Sequence, residues 1–335
     1  MKILVTGGAG FIGSHVVDAY IKAGHEVLVL DDLSRGKREQ VNPKARFIHM
    51  DVRSPGLGEL LREGGFDCIN HHAAQMDVRV SVADPMLDAA INILGTLNLL
   101  ETSRAYGVPR IIFASTGGAI YGQQHRYPAD EQHPRAPVSP YGVSKLSVEH
   151  YLEYYSQVHG LSSVVLRYAN VYGPRQDPEG EAGVVAIFCG RILRDQQLIV
   201  YGDGEQTRDY VYVGDVARAN VLALQHLTHG NESLEAVESV QQLKNVFDVF
   251  NIGTGIETSV NALAALLLHA ADAACPMVHQ PSRPGEQARS VIDPAKASHI
   301  LGWSPLIPLA EGLARTLAWF RGGEVDQSAQ RAGGR

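Results

Sequence analysis

The chain has 335 residues, 45% hydrophobic and 19% charged, with a formal net charge of −7, the make-up of a globular protein of two domains or of one large domain with a smaller lobe. The acidic balance, without any lysine or arginine run, excludes a nucleic-acid binder that works through a basic surface, and no apolar stretch is long enough to span a bilayer. Three scattered cysteines, Cys68, Cys189 and Cys275, suit free thiols in a reducing compartment, and Met1 leads straight into an apolar run with no room for a signal peptide, so the expected location is the cytoplasm.

In chain order, Lys2-Ile3-Leu4-Val5-Thr6 reads as a buried strand that breaks into Gly7-Gly8-Ala9-Gly10-Phe11-Ile12-Gly13, and residues 11–23 then read as a helix. A glycine turn there lets the backbone approach a dinucleotide pyrophosphate, which the helix N-terminus attracts. Gly8, Gly10 and Gly13 satisfy the dinucleotide spacing, and Gly7, Gly10 and Gly13 a wider variant. A second strand, 25–30, ends at Asp31-Asp32, where an acid would meet the adenosine ribose; a carboxylate there repels a 2′-phosphate and favours NAD over NADP. Strands at 46–49, 66–71, 110–115 and 162–167 alternate with helices near 57–63, 84–106 and 142–159. This alternation predicts an α/β fold, a Rossmann-type doubly wound parallel sheet with helices on both faces.

Past residue 170 the pattern becomes irregular. Pro174 to Gly183 reads as a loop near a cleft. Helices follow near 184–194, 215–229, 258–273 and 308–320, with short strands near 198–200, 210–213 and 247–251. The division predicted is an NAD-binding domain over 1–170, a smaller C-terminal α/β substrate lobe over 171–321 whose segments return to the main sheet, and a fraying tail over 322–335. Residues 231–245 show weak periodicity and receive no element.

The second signal is Tyr141-Gly142-Val143-Ser144-Lys145, together with Ser115-Thr116 at the end of the fifth strand. Tyr and Lys four apart on a helix share one face. A tyrosine hydroxyl is a poor base at neutrality, but a nearby ammonium and a cationic nicotinamide both favour its phenolate. A strand-end hydroxyl can hydrogen-bond the substrate oxygen and relay its proton. Alone, the pair is commonplace on a solvated helix; joined to the glycine turn and the strand-end hydroxyls, it reads as one site.

With these residues in hand, the chain resembles the extended short-chain dehydrogenase/reductases, in particular the nucleotide-sugar epimerases/dehydratases and among them the UDP-glucose (UDP-galactose) 4-epimerases. The resemblance runs from Thr6-Gly7-Gly8-Ala9-Gly10-Phe11-Ile12-Gly13-Ser14-His15 through Asp31-Asp32-Leu33-Ser34, Asp51-Val52, His72-Ala73-Ala74-Gln75, Tyr121-Gly122, Tyr141 to Lys145, Arg167-Tyr168-Ala169-Asn170-Val171-Tyr172-Gly173-Pro174 and Arg208-Asp209-Tyr210-Val211 to Asp293-Pro294-Ala295-Lys296-Ala297. It implies that Gly7, Gly10, Phe11, Ile12, Gly13, Asp31 and Asp32 hold the NAD, that Asp51 and Val52 hold its adenine, and that Ala73, Ala74, Asn92 and Tyr168 line its cleft. Lys145 would hold the nicotinamide ribose and Tyr141 would be the base. Asn170, Arg208 and Arg283 would face the sugar diphosphate, a task suited to a planar guanidinium fork. Tyr201, in the run from Leu198 through Ile199 to Gly202, would stack on uracil. Relatives pair the helices following Asp84 and Tyr141 across a two-fold axis, which implies a homodimer.

The chain departs from that pattern twice. The relay hydroxyl of the epimerases usually lies four residues before the Tyr-Gly pair, which here is Gly117; counted from the strand end, Thr116 fills the slot, with Ser115 in reserve. Glucose/galactose-restricted enzymes carry a tyrosine seven residues after the matching arginine, whereas Arg283 plus seven is Ser290, small enough to admit a 2-acetamido group. Other residues read blandly. His71-His72 lack a second ligand pair, so no metal is expected; Asp177, Glu179 and Glu181 suit a solvated lid, and Tyr151, Tyr154 and Tyr155 suit packing.

The function expected is NAD-dependent 4-epimerisation of a UDP-hexose, UDP-glucose/UDP-galactose with their N-acetylated pair as a possible extension, through a transient 4-keto sugar. Alternatives are UDP-glucuronate 4-epimerisation, another epimerase/dehydratase activity, and a non-catalytic NAD sensor. Gly117-Gly118-Ala119 after Thr116 lacks the Asp-Glu pair of dehydratases, and a sensor has no need of a phenolate base.

Overall fold

The computed structural model describes residues 1–178, 183–229, 245–282 and 287–332. The first half runs β1 (Lys2–Thr6), α1 (Phe11–Lys22), β2 (Glu26–Asp31), β3 (Arg46–His49), α2 (Leu57–Gly64), β4 (Cys68–His71), α3 (Val78–Ala83), α4 (Pro85–Ala89), a π turn (Ala90–Leu94), α5 (Gly95–Tyr106), β5 (Arg110–Thr116), α6 (Gly117–Ile120), α7 (Pro140–His159) and β6 (Ser162–Tyr168). The remainder runs β7 (Asn170–Tyr172), α8 (Val184–Leu193), β8 (Leu198–Tyr201), β9 (Thr207–Arg208), β10 (Tyr210–Tyr212), α9 (Val213–His229), β11 (Phe247–Ile252), β12 (Thr258–Ser259), α10 (Val260–Ala271), β13 (Met277–Gln280), β14 (Arg289–Ser290), α11 (Ala295–Leu301) and α12 (Leu309–Ala332).

The main sheet has seven strands in the order β11-β6-β5-β4-β1-β2-β3, all parallel. Chain direction along the sheet reverses between β1 and β4, and the crevice beyond the carboxyl ends of the strands at that point is where such a sheet binds its ligand. The doubly wound sheet expected from the alternating pattern is therefore present. One face packs against α1 and α9 over Ile3, Val5, Val16, Val17, Leu166 and Phe250; the other packs over Leu4, Leu61, Leu99, Phe113, Val148 and Leu152. A separate core beneath α8, α10 and α12 includes Phe188, Leu198, Leu263 and Leu317.

The single helix expected at 84–106 is three pieces. Asp84 caps α4 by accepting from Leu87 N, Pro85 occupies its first turn, and the ladder widens into the π turn before α5 begins. A further helix, α3, is capped by Asp77, whose carboxylate accepts from Arg79 N and Val80 N. The strands β7, β9, β12, β13 and β14 had no sequence counterpart: each has two to four residues, too short for alternation to register. The last helix continues past Gly322, where composition pointed to a tail. The unassigned segment, except for Asn245, lies outside the described residues.

The turn after β1 depends on two close approaches. Gly7 has φ +69°, and a Cβ there would lie 2.5 Å from Ala73 N; a Cβ on Gly13 would lie 2.2 Å from Gly7 O. Both glycines let α1 and the end of β4 close on the β1 turn. A Cβ on Gly10 meets only Gly7 O, at 3.2 Å. We expect Gly13→Ala to lower the thermal midpoint by several degrees and Gly10→Ala by clearly less, since its contact is the looser of the two; a thermal melt of the two variants side by side checks this, and equal losses would refute the packing argument.

Candidate active site

No side chain caps the first turn of α1, so its amides and helix dipole are left for an anion. Beside that turn, Asp31 is buried at the end of β2 and accepts from Ala9 N at 3.0 Å and Leu33 N at 2.9 Å. Burial pushes its pKa up, against these two bonds. Each carboxylate oxygen retains acceptor capacity for a ribose hydroxyl. Asp32, by contrast, is exposed and uses its carboxylate on its own turn, accepting from Ser34 N and Oγ. Asp51 is clamped by Arg53, which holds its carboxyl below the usual range, and Val52 is buried with its carbonyl accepting from Asn98 Nδ2. The uncapped turn and the fixed Asp31 fit a dinucleotide pyrophosphate and ribose.

The end of β4 is organised by a hydrogen-bond chain. Ala73 N donates to Thr6 Oγ1, which pairs with His71 Nδ1 at 2.6 Å; His71 Nε2 pairs with Thr96 Oγ1 at 2.9 Å, which donates to Asn92 O at 2.6 Å. The chain is satisfied throughout only if His71 is neutral with its proton on Nε2, and burial pushes its pKa down to about 3. His72, likewise pushed down to about 3, stacks on Tyr168, whose hydroxyl pairs with Asn220. Among the described residues no cluster of three or more His, Cys, Asp or Glu could hold a metal ion. Asn92 is buried and spends its amide on Gln75 and Asp88, so it braces the segment after β4, Ala73 and Ala74 included.

Tyr141 and Lys145 lie in the first turns of α7, which Ser139 caps through Gly142 N and Pro140 opens. A Cβ on Gly142 would lie 2.9 Å from Ala119 O, so this glycine brings α7 against the turn after β5. Lys145 is buried, donates to Ala114 O at 2.9 Å and lies 4.6 Å from the Phe113 ring and 5.8 Å from the Tyr141 ring. Burial pushes its pKa down to about 8, against the opposing charges of Asp88 and Glu149.

The two strand-end hydroxyls separate cleanly. Ser115 donates to Glu149 Oε1 at 2.6 Å inside a buried network in which Arg167 makes two bonds to Glu149 and donates to Tyr121 Oη, which donates to Asn251 Oδ1. Thr116 accepts from Ala119 N at 3.2 Å and is only half-buried. A Cβ placed on Gly118 would come within 3.9 Å of Thr116 Oγ1 and 3.8 Å of Asn170 Oδ1, so Thr116 and Asn170 border one space.

Asn170 also lines a cleft of about 330 Å³ with Ile199, Tyr201 and Arg208, all four expected there. Sequence reading missed Phe188 and Arg191 of α8, an element read only as structure, and Gln206, which lies between the strands that were read; all three also line it. Arg208 donates to Thr207 O, and the neighbouring Asp209 is buried, accepting from Thr254 N, Thr254 Oγ1 and Gly255 N. Ser290 pairs with Arg208 in β14 and is buried rather than open to the cleft. Arg283, Glu179 and Glu181 lie outside the described residues.

The chain's relatives are consistent with this geometry. The model of the NAD dependent epimerase/dehydratase family matches residues 3–253. The putative UDP-glucose 4-epimerase of Methanocaldococcus jannaschii is 46% identical over 319 residues, 95% of this chain and 98% of that protein. The crystal structure of UDP-glucose 4-epimerase with UDP-glucose from Thermotoga maritima is 47% identical with a TM-score of 0.87, covering 96% of this chain and 99% of that one. That of the Thermus thermophilus enzyme in complex with NAD is 45% identical with a TM-score of 0.85, over 96% and 99%.

The Glu149–Arg167 pair is almost fully buried on both sides. Removing one partner from such a pair costs about 3–5 kcal/mol, because the other charge is left buried alone. We expect Arg167→Met to destabilise the fold by about that much and the double change with Glu149→Leu to recover part of it; denaturant titrations of the single and double variants check the sign, and additive losses would speak against a coupled pair.

Proposed function

The chain belongs to the NAD-dependent epimerase/dehydratase family, and we propose that it interconverts the C4 epimers of a UDP-hexose, UDP-glucose and UDP-galactose in the first instance. The observation that supports this reading is the space bordered by Thr116 and Asn170, because Asn170 also lines the cleft of Ile199, Tyr201 and Arg208. A nucleotide diphosphate seated in that cleft, its base against Tyr201 and its charge on Arg208, would present its hexose to the space that Thr116 and Asn170 border; Arg283 enters this reading only through the family resemblance. Gly117-Gly118-Ala119 offer no acid–base pair after Thr116, which disfavours dehydration.

In the mechanism proposed, Thr116 hydrogen-bonds the C4 oxygen and passes its proton to the Tyr141 phenolate. The Lys145 ammonium stabilises that phenolate and is itself oriented by Ala114 O. Bound NAD supplies a two-electron acceptor and donor at C4. The protein's part is to hold the reacting groups in register and to keep a phenolate available near neutral pH. Ser290, buried in β14 and outside that cleft, does not carry the extension to the N-acetylated pair expected from its small size, and the proposal rests on the unsubstituted pair. Residence in the cytoplasm and a homodimer complete it: Val82, Met86 and Leu94 beside Val143, Tyr154 and Val158 of α7 are exposed apolar side chains, and a second copy placing the same helices against them would cover both sets. Residues 1–170 as the cofactor-binding domain and 171–321 as the substrate lobe remain the division we propose.

The direct test incubates the purified protein separately with UDP-galactose, UDP-N-acetylgalactosamine and UDP-galacturonate, without reductant, and identifies products by NMR. The matching gluco-isomer is expected from the first; three unchanged substrates with NAD bound would overturn the reading. Thr116→Val is expected to cut turnover by about 10²-fold or more while sparing NAD binding, and wild-type turnover in that variant would remove Thr116 from the relay. Because Lys145 is shifted down to about 8, its ammonium is present below that pH and lost above it. Turnover should therefore fall as pH rises through about 8, and a plateau extending to pH 10 would contradict the role given to Lys145. Light scattering on a sizing column should give twice 36.3 kDa, and Leu94→Glu with Val158→Asp should give a monomer.

A further inference from the structure

We propose that Asp88 is a positioning residue of this site: a buried carboxylate that locks the Tyr141–Lys145 helix to the cofactor-facing segment after β4 and supplies the Lys145 ammonium with a counter-charge. The inference rests on the reading above, in which Tyr141 and Lys145 act on the substrate. Asp88 lies on α4 with no solvent exposure. Its Oδ2 accepts from Ser144 Oγ at 2.6 Å, and its Oδ1 accepts from Asn92 Nδ2 at 2.9 Å and Gln75 Nε2 at 3.1 Å. Three separate pieces of chain thus meet on one carboxylate: Ser144 from between Tyr141 and Lys145 on α7, Asn92 from the π turn, and Gln75 from the segment that follows Ala73 and Ala74.

All three partners are neutral, which is unusual for a carboxylate with no exposure, since a buried charge ordinarily has an opposite charge beside it. The other acid near Lys145, Glu149, is different: Arg167 neutralises it with two hydrogen bonds. The groups facing Lys145 are Tyr141 and Glu149 from its own helix, Asp88 from α4, and His71 and His72 from the end of β4. Both imidazoles are held neutral by burial. With Glu149 matched by Arg167, Asp88 is the acid whose charge is left to Lys145. It keeps the ammonium protonated closer to its ordinary range than burial alone would allow, and it does so without touching substrate.

The test follows the Lys145 side chain directly. Lysine carrying a ¹³C label at Cε is incorporated into the NAD-bound protein, the Lys145 signal is assigned by its loss in Lys145→Met, and its shift is followed against pH. In Asp88→Asn the Lys145 midpoint should fall by about 1 pH unit, the lower end of the effect of an adjacent opposite charge, and the alkaline decline of turnover should move down by the same interval. Asp88→Glu, which keeps the charge, should restore both. Asp88→Ser leaves room for a water that, together with the introduced hydroxyl, can accept from the three donors, and serves in place of the Asn variant if that variant fails to fold. An unmoved midpoint in a folded charge-removing variant overturns the proposal, even if its turnover or melting temperature falls, because a purely structural role lowers both without moving Lys145. Should the midpoint fall in a protein whose wild type turns over no UDP-hexose, the catalytic reading fails and the placement of Asp88 stands.

Discussion

An ammonium buried at the carboxyl edge of a parallel sheet is the constraint around which this protein is arranged. Lys145 is almost inaccessible to water, and a charge in that position is tolerated only where the surroundings replace hydration. They do so with the Ala114 carbonyl, the face of Phe113, and carboxylates on two helices. Each of these is set by a different part of the fold: the carbonyl and the ring by β5, Glu149 by its bonds to Arg167 on β6, and Asp88 by α4 and the π turn. The result is a lysine whose proton is loosely enough held to respond near neutral pH and which lies against the tyrosine one helical turn away.

The same edge gathers the rest of the chemistry because the sheet reverses there. The β1 turn and the end of β4 approach closely through Gly7, leaving the uncapped start of α1 facing the crevice. On the far side, β7 and β10 pair directly after β6 ends. Asp209, between Arg208 and Tyr210, ties that pair to the loop at Thr254 and through its amide to Ser290. The cleft is thereby anchored to the last residues of the main sheet, and Thr116 and Asn170 border one space where the two parts join.

Much of this was legible in the sequence, for reasons that differ by element. The central strands of the main sheet, β1 and β2 above all, are largely apolar runs because both faces are covered, so the alternation of strand and helix and the glycine turn could be read directly. Tyr141 and Lys145 were legible because a helix repeats every four residues, and Thr116 because it ends a strand. What was not legible depends on contacts between distant segments. Nothing local distinguishes Ser115 from Thr116; the difference is that alternate residues of β5 face opposite sides of the sheet, and only one side holds Glu149. Asn92 read as a cleft residue, yet its amide is engaged by Gln75 and Asp88. Arg191 carried no signal of its own in the sequence and lines the cleft because α8 lies beside Tyr201. Asp31 and Asp32 are also alike in sequence, and they differ only in that Asp31 is buried against Ala9 N while Asp32 folds onto Ser34.

The central claim is that Tyr141, Thr116 and Lys145 move only the hydroxyl proton, while the hydrogen on C4 is kept within the bound complex throughout. The most direct measurement is the conversion of UDP-galactose in heavy water, with the C4 position of the product read by NMR. The account requires that UDP-glucose form with ordinary hydrogen at C4. Deuterium at that carbon would show that the hydrogen came from solvent, and the roles assigned to these three residues would have to be abandoned.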